Sequence, residues 1–263
     1  MPRPHRLAFV LALVHALGAC PSPDADDEHD ADAQTSDGNG EAGAGDSQAD
    51  GGDATGVGQP CAGASTQSGE ATYYDFADGS GNCGFPATPD DLMVGAMNHT
   101  DYAASAACGL CVRIEHEGAS VDVRIVDQCP ECAPGDIDLS PDAFARIAAL
   151  EAGRVPITWQ TIECPVDGPV VYHFKDGSNP YWTAIQIRNH RHGIASLQYL
   201  REGTWTDVAR VDYNYFVADG GMGEGPLSLR VTDVLGNTLQ DDGIPLLDDA
   251  DAAGAAQFPG CGG

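Results

Sequence analysis

The sequence predicts a mainly all-β protein, a small bridged barrel followed by a β-sandwich. Three observations carry this. β-Branched runs alternate with Gly-rich turns from Ser68 to Cys164, and hairpin signals recur at regular spacing after Pro169. Eight cysteines also fall between residues 61 and 261.

In the barrel part, residues 61–165, Ala71-Thr72-Tyr73-Tyr74 reads as a first strand. Residues 112–115 and 121–126 alternate as a hairpin around Glu117-Gly118. Ser140-Pro141-Asp142 starts a short helix, with Ser as N-cap and Pro at the first helical position. Phe144, Ile147 and Ala148 face inward from it at helical spacing, and residues 155–162 return as a strand. Pro165-Val166-Asp167-Gly168-Pro169 is a stiff joint. In the second part, residues 166–263, Asp176-Gly177, Glu202-Gly203 and Gly236-Asn237 mark hairpins. Strands are expected over residues 170–174, 184–189, 197–200, 205–211 and 227–231, with no helical periodicity between them.

The chain starts differently. Arg3 and Arg6 precede an apolar run that ends in Leu17-Gly18-Ala19-Cys20, the pattern of an export signal too short to span a bilayer. A Cys at the cut point predicts a lipoprotein signal over residues 1–20, with Cys20 acylated and the protein held at the cell surface; without acylation it would be secreted. Residues 21–60 hold eleven acidic residues, no Lys or Arg and no aromatic, so they are expected to form a disordered, self-repelling tether.

The whole chain carries a net charge of −28, and residues 61–263 hold ten basic against 29 acidic side chains. Nucleic acid is therefore excluded as a partner, since phosphate binding needs clustered cations, and a neutral polymer fits better. Membrane contact is expected only through the lipid, and the protein is expected to act as a monomer. With Cys20 assigned to lipid, Cys61, Cys83, Cys108, Cys111, Cys129, Cys132, Cys164 and Cys261 remain. In an exported chain this even number argues for four disulfides, with 105 pairings open. The Cys108–Cys111 and Cys129–Cys132 spacings would also suit zinc, but the oxidising compartment disfavours it, and no metal or cofactor is expected.

The most informative stretch is Asp127-Gln128-Cys129-Pro130-Glu131-Cys132, followed by Gly135-Asp136-Ile137-Asp138. A strand delivers Asp127 to its edge, and a short bridged turn brings Asp138 back just before the helix. Two carboxylates on one rigid scaffold can do acid–base or hydrogen-bond work on a polyhydroxylated ligand, whereas capping a turn is the plainer role. In the second part, Ile185 and Ile187 point to the core. Gln186 and Arg188 then point outward, and Trp182 shares their parity, as a ring that meets a ligand would.

Together these residues resemble the expansins, particularly the bacterial kind, across residues 69–259. The likeness rests on Gly69-Glu70-Ala71-Thr72-Tyr73-Tyr74, on Val126-Asp127 with Ile137-Asp138-Leu139-Ser140-Pro141-Asp142-Ala143-Phe144, on Ala184-Ile185-Gln186-Ile187-Arg188-Asn189-His190, on Asp212-Tyr213-Asn214-Tyr215-Phe216 and on Gln257-Phe258-Pro259. The resemblance implies a six-stranded double-psi β-barrel joined to an immunoglobulin-like carbohydrate-binding domain. It further implies binding of cell-wall polysaccharide, cellulose or another β-glucan, and loosening without hydrolysis. By the same resemblance Asp138 is the essential acid, Asp127 its supporting aspartate and Thr72 the barrel threonine. Tyr181, Trp182 and Tyr213 become the in-line aromatics, with Lys175 beside them. The likeness to plant relatives pairs Cys83 with Cys108 and Cys111 with Cys164. Cys129–Cys132 would close the turn, and Cys61 and Cys261 are left for each other.

The sequence departs from that family in two respects. Cys129 stands where an aromatic is common, and the chain is acidic where many bacterial members are basic. Asp75 also resembles the second catalytic carboxylate of related barrel endoglucanases, and an inverting glycosidase needs its two carboxyls about 6.5–9.5 Å apart. A weak endoglucanase, a peptidoglycan lytic transglycosylase and an adhesion module with an inert barrel are the rival readings.

Overall fold

The computed structural model describes residues 60–61, 64–75 and 78–261. The expected signal, Cys20 and nearly all of the tether lie outside these residues. The described residues belong to one compact unit.

Six strands close a barrel: β1 (Gln67–Tyr73), β2 (Val94–Asn98), β3 (Cys111–His116), β4 (Ala119–Cys129), β5 (Ile137–Leu139) and β6 (Val155–Ile162), in the order β1-β5-β2-β4-β3-β6. The β1/β5 and β2/β4 pairs are parallel and the remaining pairs antiparallel. Ala71, Val112, Ile114, Ile125, Ile137, Leu139 and Trp159 fill the interior. Their removal from water is the main term holding the barrel closed. The β3–β4 turn forms at Glu117-Gly118, both at positive φ, which suits the two-residue hairpin turn.

Two strands of the barrel escaped the sequence reading. β2 (Val-Gly-Ala-Met-Asn) is buried throughout, so it shows no alternation, and β5 is three residues long. The expected helix is shorter than its spacing suggests. Ser140 caps Ala143 N–H, but α2 spans only Pro141–Phe144 before the chain breaks into turns. Phe144 and Ile147 are still buried, brought inward by successive turns rather than by one helical face. α1 (His99–Tyr102) is the other helix of this part, and a 3-10 turn spans Leu150–Ala152.

The second part has eight strands: β7 (Val171–Phe174), β8 (Thr183–Arg188), β9 (Ile194–Arg201), β10 (Thr204–Arg210), β11 (Phe216–Ala218), β12 (Leu227–Asp233), β13 (Thr238–Ile244) and β14 (Ala250–Ala253). They follow the order β13-β12-β9-β10-β11-β8-β7-β14. β10 pairs with β9 along Thr204 to Val208 and with β11 at Ala209 and Arg210, so one strand carries the chain from one layer to the other. Tyr172, Phe174, Ile185, Leu197, Leu229, Val231 and Phe258 pack between the layers.

Four disulfides staple the fold: Cys83–Cys108, Cys111–Cys164, Cys129–Cys132 and Cys61–Cys261. Barrel and sandwich meet at Cys83, whose carbonyl accepts bonds from Gln186 Nε2 (2.8 Å) and Asn214 Nδ2 (3.2 Å). Gln186 does face out of the sandwich, but the barrel covers that face and buries it completely.

Replacing Gln186 by Leu leaves the Cys83 carbonyl short of a donor and strands Arg188 Nε, which now donates to Gln186 Oε1. The expected cost is about 1–3 kcal/mol. It would be read as a lower urea midpoint with unchanged slope.

Candidate functional site

Strand register assembles one row of residues across four strands. Thr72 on β1 pairs with Asp138 on β5, Asp138 pairs with Ala96 on β2, and Ala96 pairs with Asp127 on β4. Neighbouring strands lie about 4.8 Å apart, so the two acids stand about 10 Å apart at their Cα atoms with only a methyl side chain between them. Ile137 and Leu139 point into the core, which turns Asp138 to the outside of the barrel wall. The row thus lies along the barrel wall with Thr72, Asp138 and Asp127 partly exposed and Ala96 buried between them. A separate cavity of about 490 Å³, lined by Phe85, Arg124, Ile162 and His190 among others, contains none of these four residues.

Each acid is held differently. Thr72 Oγ1 donates to Asp138 Oδ1 at 2.5 Å. Asp127 Oδ1 accepts the backbone N–H groups of Asn82 (2.7 Å) and Gln128 (2.8 Å). Gly81 lies against Asp127; a Cβ there would come within 2.6 Å of the Val126 carbonyl oxygen. Burial is the main influence on Asp138 and raises its carboxyl above the ordinary aspartate range. The Thr72 bond opposes this, Glu131 adds to it, Arg154 opposes it, and Asp127 adds again.

Tyr74 belongs with these residues, although the sequence reading gave it no role. Its hydroxyl is the one buried side-chain polar atom without a partner among the described residues. Burial, then the charges of Asp127 and Asp138, push its ionisation far above the usual tyrosine range. A neutral, orphaned O–H beside two carboxylates is a donor waiting for an acceptor. The sequence held no signal for it, because the orphaned hydroxyl and the nearby acids are brought together only by the fold.

Asp75 is exposed in the turn after β1. Among the described residues no hydrogen bond or ion pair joins it to Asp138, and its neighbours 76 and 77 lie outside them.

On the sandwich, Asn179 Oδ1 accepts from the backbone N–H of Tyr181 (2.9 Å) and Trp182 (3.2 Å), fixing the turn that carries both rings. Tyr181 is 78% exposed, Tyr213 is 40% exposed and Trp182 is half-buried. Strand parity could not assign Tyr213 a direction because residues 211–215 form a turn, closed by Val211 N–H to Tyr215 O (2.8 Å) with Asn214 at positive φ. Tyr213 therefore faces solvent while Tyr215 is buried, their ring centroids 5.9 Å apart. Lys175 Nζ sits 5.7 Å from the Tyr215 centroid, a cation over the ring that supports Tyr213.

Known proteins resemble this chain in sequence and fold. A family model described as lytic transglycolase matches residues 66–159. Expansin-YoaJ of Bacillus subtilis is 33% identical over 196 residues, covering 73% of this chain and 84% of that protein. The chain belongs to the expansin family. Expansin-like protein 2 of Dictyostelium discoideum is 32% identical over 186 residues, 65% of this chain and 45% of its own length. The crystal structure of the Clavibacter michiganensis expansin is similar with a TM-score of 0.69 and 31% identity, covering 74% of this chain and 99% of that one. A mutant of that expansin was solved in complex with cellohexaose, with the same TM-score and 30% identity.

As an expansin, this chain keeps a partly buried acid at a cost in stability. The folded state binds the Asp138 proton more tightly than the unfolded chain does, so its contribution falls as pH rises through the window just above the ordinary aspartate range. Asp138→Asn should therefore unfold at a higher temperature than wild type at pH 7. The gap should close as pH falls through the carboxylate range, and calorimetry across pH would show it.

Proposed function

We propose that this chain is an exported protein, lipid-anchored through Cys20, that binds cell-wall β-glucan such as cellulose and loosens it without hydrolysis. The observation that carries the reading is the row Thr72–Asp138–Ala96–Asp127, tied through Asn82 to the turn bearing Tyr213. Asn82 N–H donates to Asp127 (2.7 Å) while its side chain donates to the Asp212 carbonyl (2.9 Å). An extended polymer needs such a track, with flat rings at one end and hydrogen-bonding groups at the other. The cellohexaose complex of the Clavibacter expansin supports the choice of a glucan.

In this reading Tyr181, Trp182 and Tyr213 stack on successive sugar rings, each burying enough area for about 1–2.5 kcal/mol. Lys175 holds the ring beneath Tyr213. Asp138, positioned by Thr72, and Asp127 exchange hydrogen bonds with sugar hydroxyls and compete with the bonds between polymer chains. Tyr74 supplies a donor to the same track. In this reading Asp75, exposed in the turn after β1, takes no part in catalysis.

Retention on insoluble cellulose should weaken about tenfold in Trp182→Ala, the equivalent of one ring contact. Asp138→Asn should bind as wild type but lose loosening, measured as reduced strength of cellulose paper. Tyr74→Phe should lose part of the loosening with binding kept. A reducing-sugar assay should stay blank throughout. No retention on cellulose would remove this reading.

The family model described as lytic transglycolase favours a second reading, peptidoglycan cleavage. That chemistry uses a carboxyl group as proton donor, and burial shifts Asp138 toward its protonated form. Release of soluble muropeptides that disappears in Asp138→Asn would establish it.

A further inference from the structure

A cluster remote from the acid row brings three metal donors together. Cys61 Sγ, Cys261 Sγ and a ring nitrogen of His192 all lie within 4.8 Å of one another, and Cys261 Sγ stands 3.2 Å from His192 Nε2. The His192 side chain is 3% exposed, and its Nδ1 lies 2.9 Å from Asp233 Oδ2, which is wholly buried.

Asp233 also accepts bonds from the backbone N–H groups of Leu235 (3.0 Å) and Asn237 (2.8 Å) and from Asn237 Nδ2 (2.9 Å). A carboxylate so surrounded by donors acts as an acceptor, which assigns the histidine proton to Nδ1. Nε2 is then a buried lone pair aimed at a sulfur. While that sulfur is in a disulfide it has no proton to give, so the lone pair lacks a donor. A carboxylate that orients a histidine whose other nitrogen faces thiol sulfurs is the outer arrangement of many zinc sites.

We propose that the Cys61–Cys261 disulfide and a zinc site are two states of this cluster. A dithiol reduces the bond; it is oxidised to its own disulfide, and two electrons and two protons pass to Cys61 and Cys261. Zn²⁺ then displaces both thiol protons and is held by the two thiolates and His192 Nε2, with the fourth tetrahedral position open to water. Bond lengths of about 2.3 Å to sulfur and 2.0–2.1 Å to nitrogen place tetrahedral S···S and S···N pairs about 3.8 and 3.6 Å apart. The two sulfurs, bonded to each other here, move apart on reduction, and Cys261 Sγ already stands 3.2 Å from His192 Nε2. Sulfur and imidazole donors select zinc over calcium or magnesium, which take oxygen ligands. Cys83, Cys108, Cys111 and Cys164 are buried while Cys61, Cys261 and Cys132 are partly exposed, so a dithiol reaches the Cys61–Cys261 and Cys129–Cys132 bonds first.

The test uses the full chain, treated with dithiothreitol under native conditions, desalted without oxygen and titrated with Zn²⁺, and with Co²⁺ as a spectroscopic probe. About one zinc per chain should bind, and Co²⁺ should give thiolate charge-transfer absorption and a tetrahedral visible band. The oxidised chain should bind neither. Cys61→Ser and Cys261→Ser should each abolish the absorption, a double Cys129→Ser/Cys132→Ser variant should keep it, and Asp233→Asn should weaken zinc binding 10–100-fold. The proposal is overturned if the reduced chain, its thiols confirmed by titration, binds no zinc. It is overturned equally if the Cys61→Ser and Cys261→Ser variants bind zinc as tightly as wild type.

Discussion

The Cys83 carbonyl is the point on which the working arrangement depends. Two side chains of the sandwich, Gln186 and Asn214, donate to it, and one residue earlier the Asn82 N–H donates to Asp127. The same Asn82 reaches the Asp212 carbonyl and the Tyr102 hydroxyl (2.8 Å), and Tyr102 itself donates to the Asp212 carbonyl (3.0 Å). Two peptide units of one loop thus connect a barrel acid to the turn that exposes Tyr213. The Cys83–Cys108 bridge pins that loop to the barrel. Buried polar contacts are costly when half-made, so this network holds barrel and sandwich in one relative position.

That rigidity suits a binding track. A flexible joint would spend part of the binding energy on ordering it. The two acids sit on strands whose register is set by the barrel core, and the aromatic turn is set by Asn179 and Asn214. Asp138 is the exception to economical packing: burial works against its charge, and Tyr74 beside it has no partner. Such unsatisfied groups concentrate where a ligand completes them.

The legible elements were those with strong local signals. The β3–β4 hairpin, β6, the Ser140 cap and the β9–β10 turn at Glu202-Gly203 all follow from alternation, capping or positive-φ residues. β14 was invisible because Ala-Asp-Ala-Ala has no strand preference of its own and is ordered by pairing with β7. β2 and β5 were missed because a fully buried run and a three-residue strand carry no period. The candidate residues were legible as chemistry, two aspartates and several large rings. The part played by Tyr74 was not, because an orphaned hydroxyl is a property of its surroundings.

The amino-acid order alone determined the β class, the bipartite plan, the acidic character and the even set of cysteines. These depend on composition and on contacts between near neighbours in the chain. Only the tertiary structure decided that Thr72, Asp138, Ala96 and Asp127 share one row, that Tyr213 faces out, and that His192 meets Cys261. Each of those rests on a pairing between distant segments, fixed by barrel closure and core packing rather than by local preference.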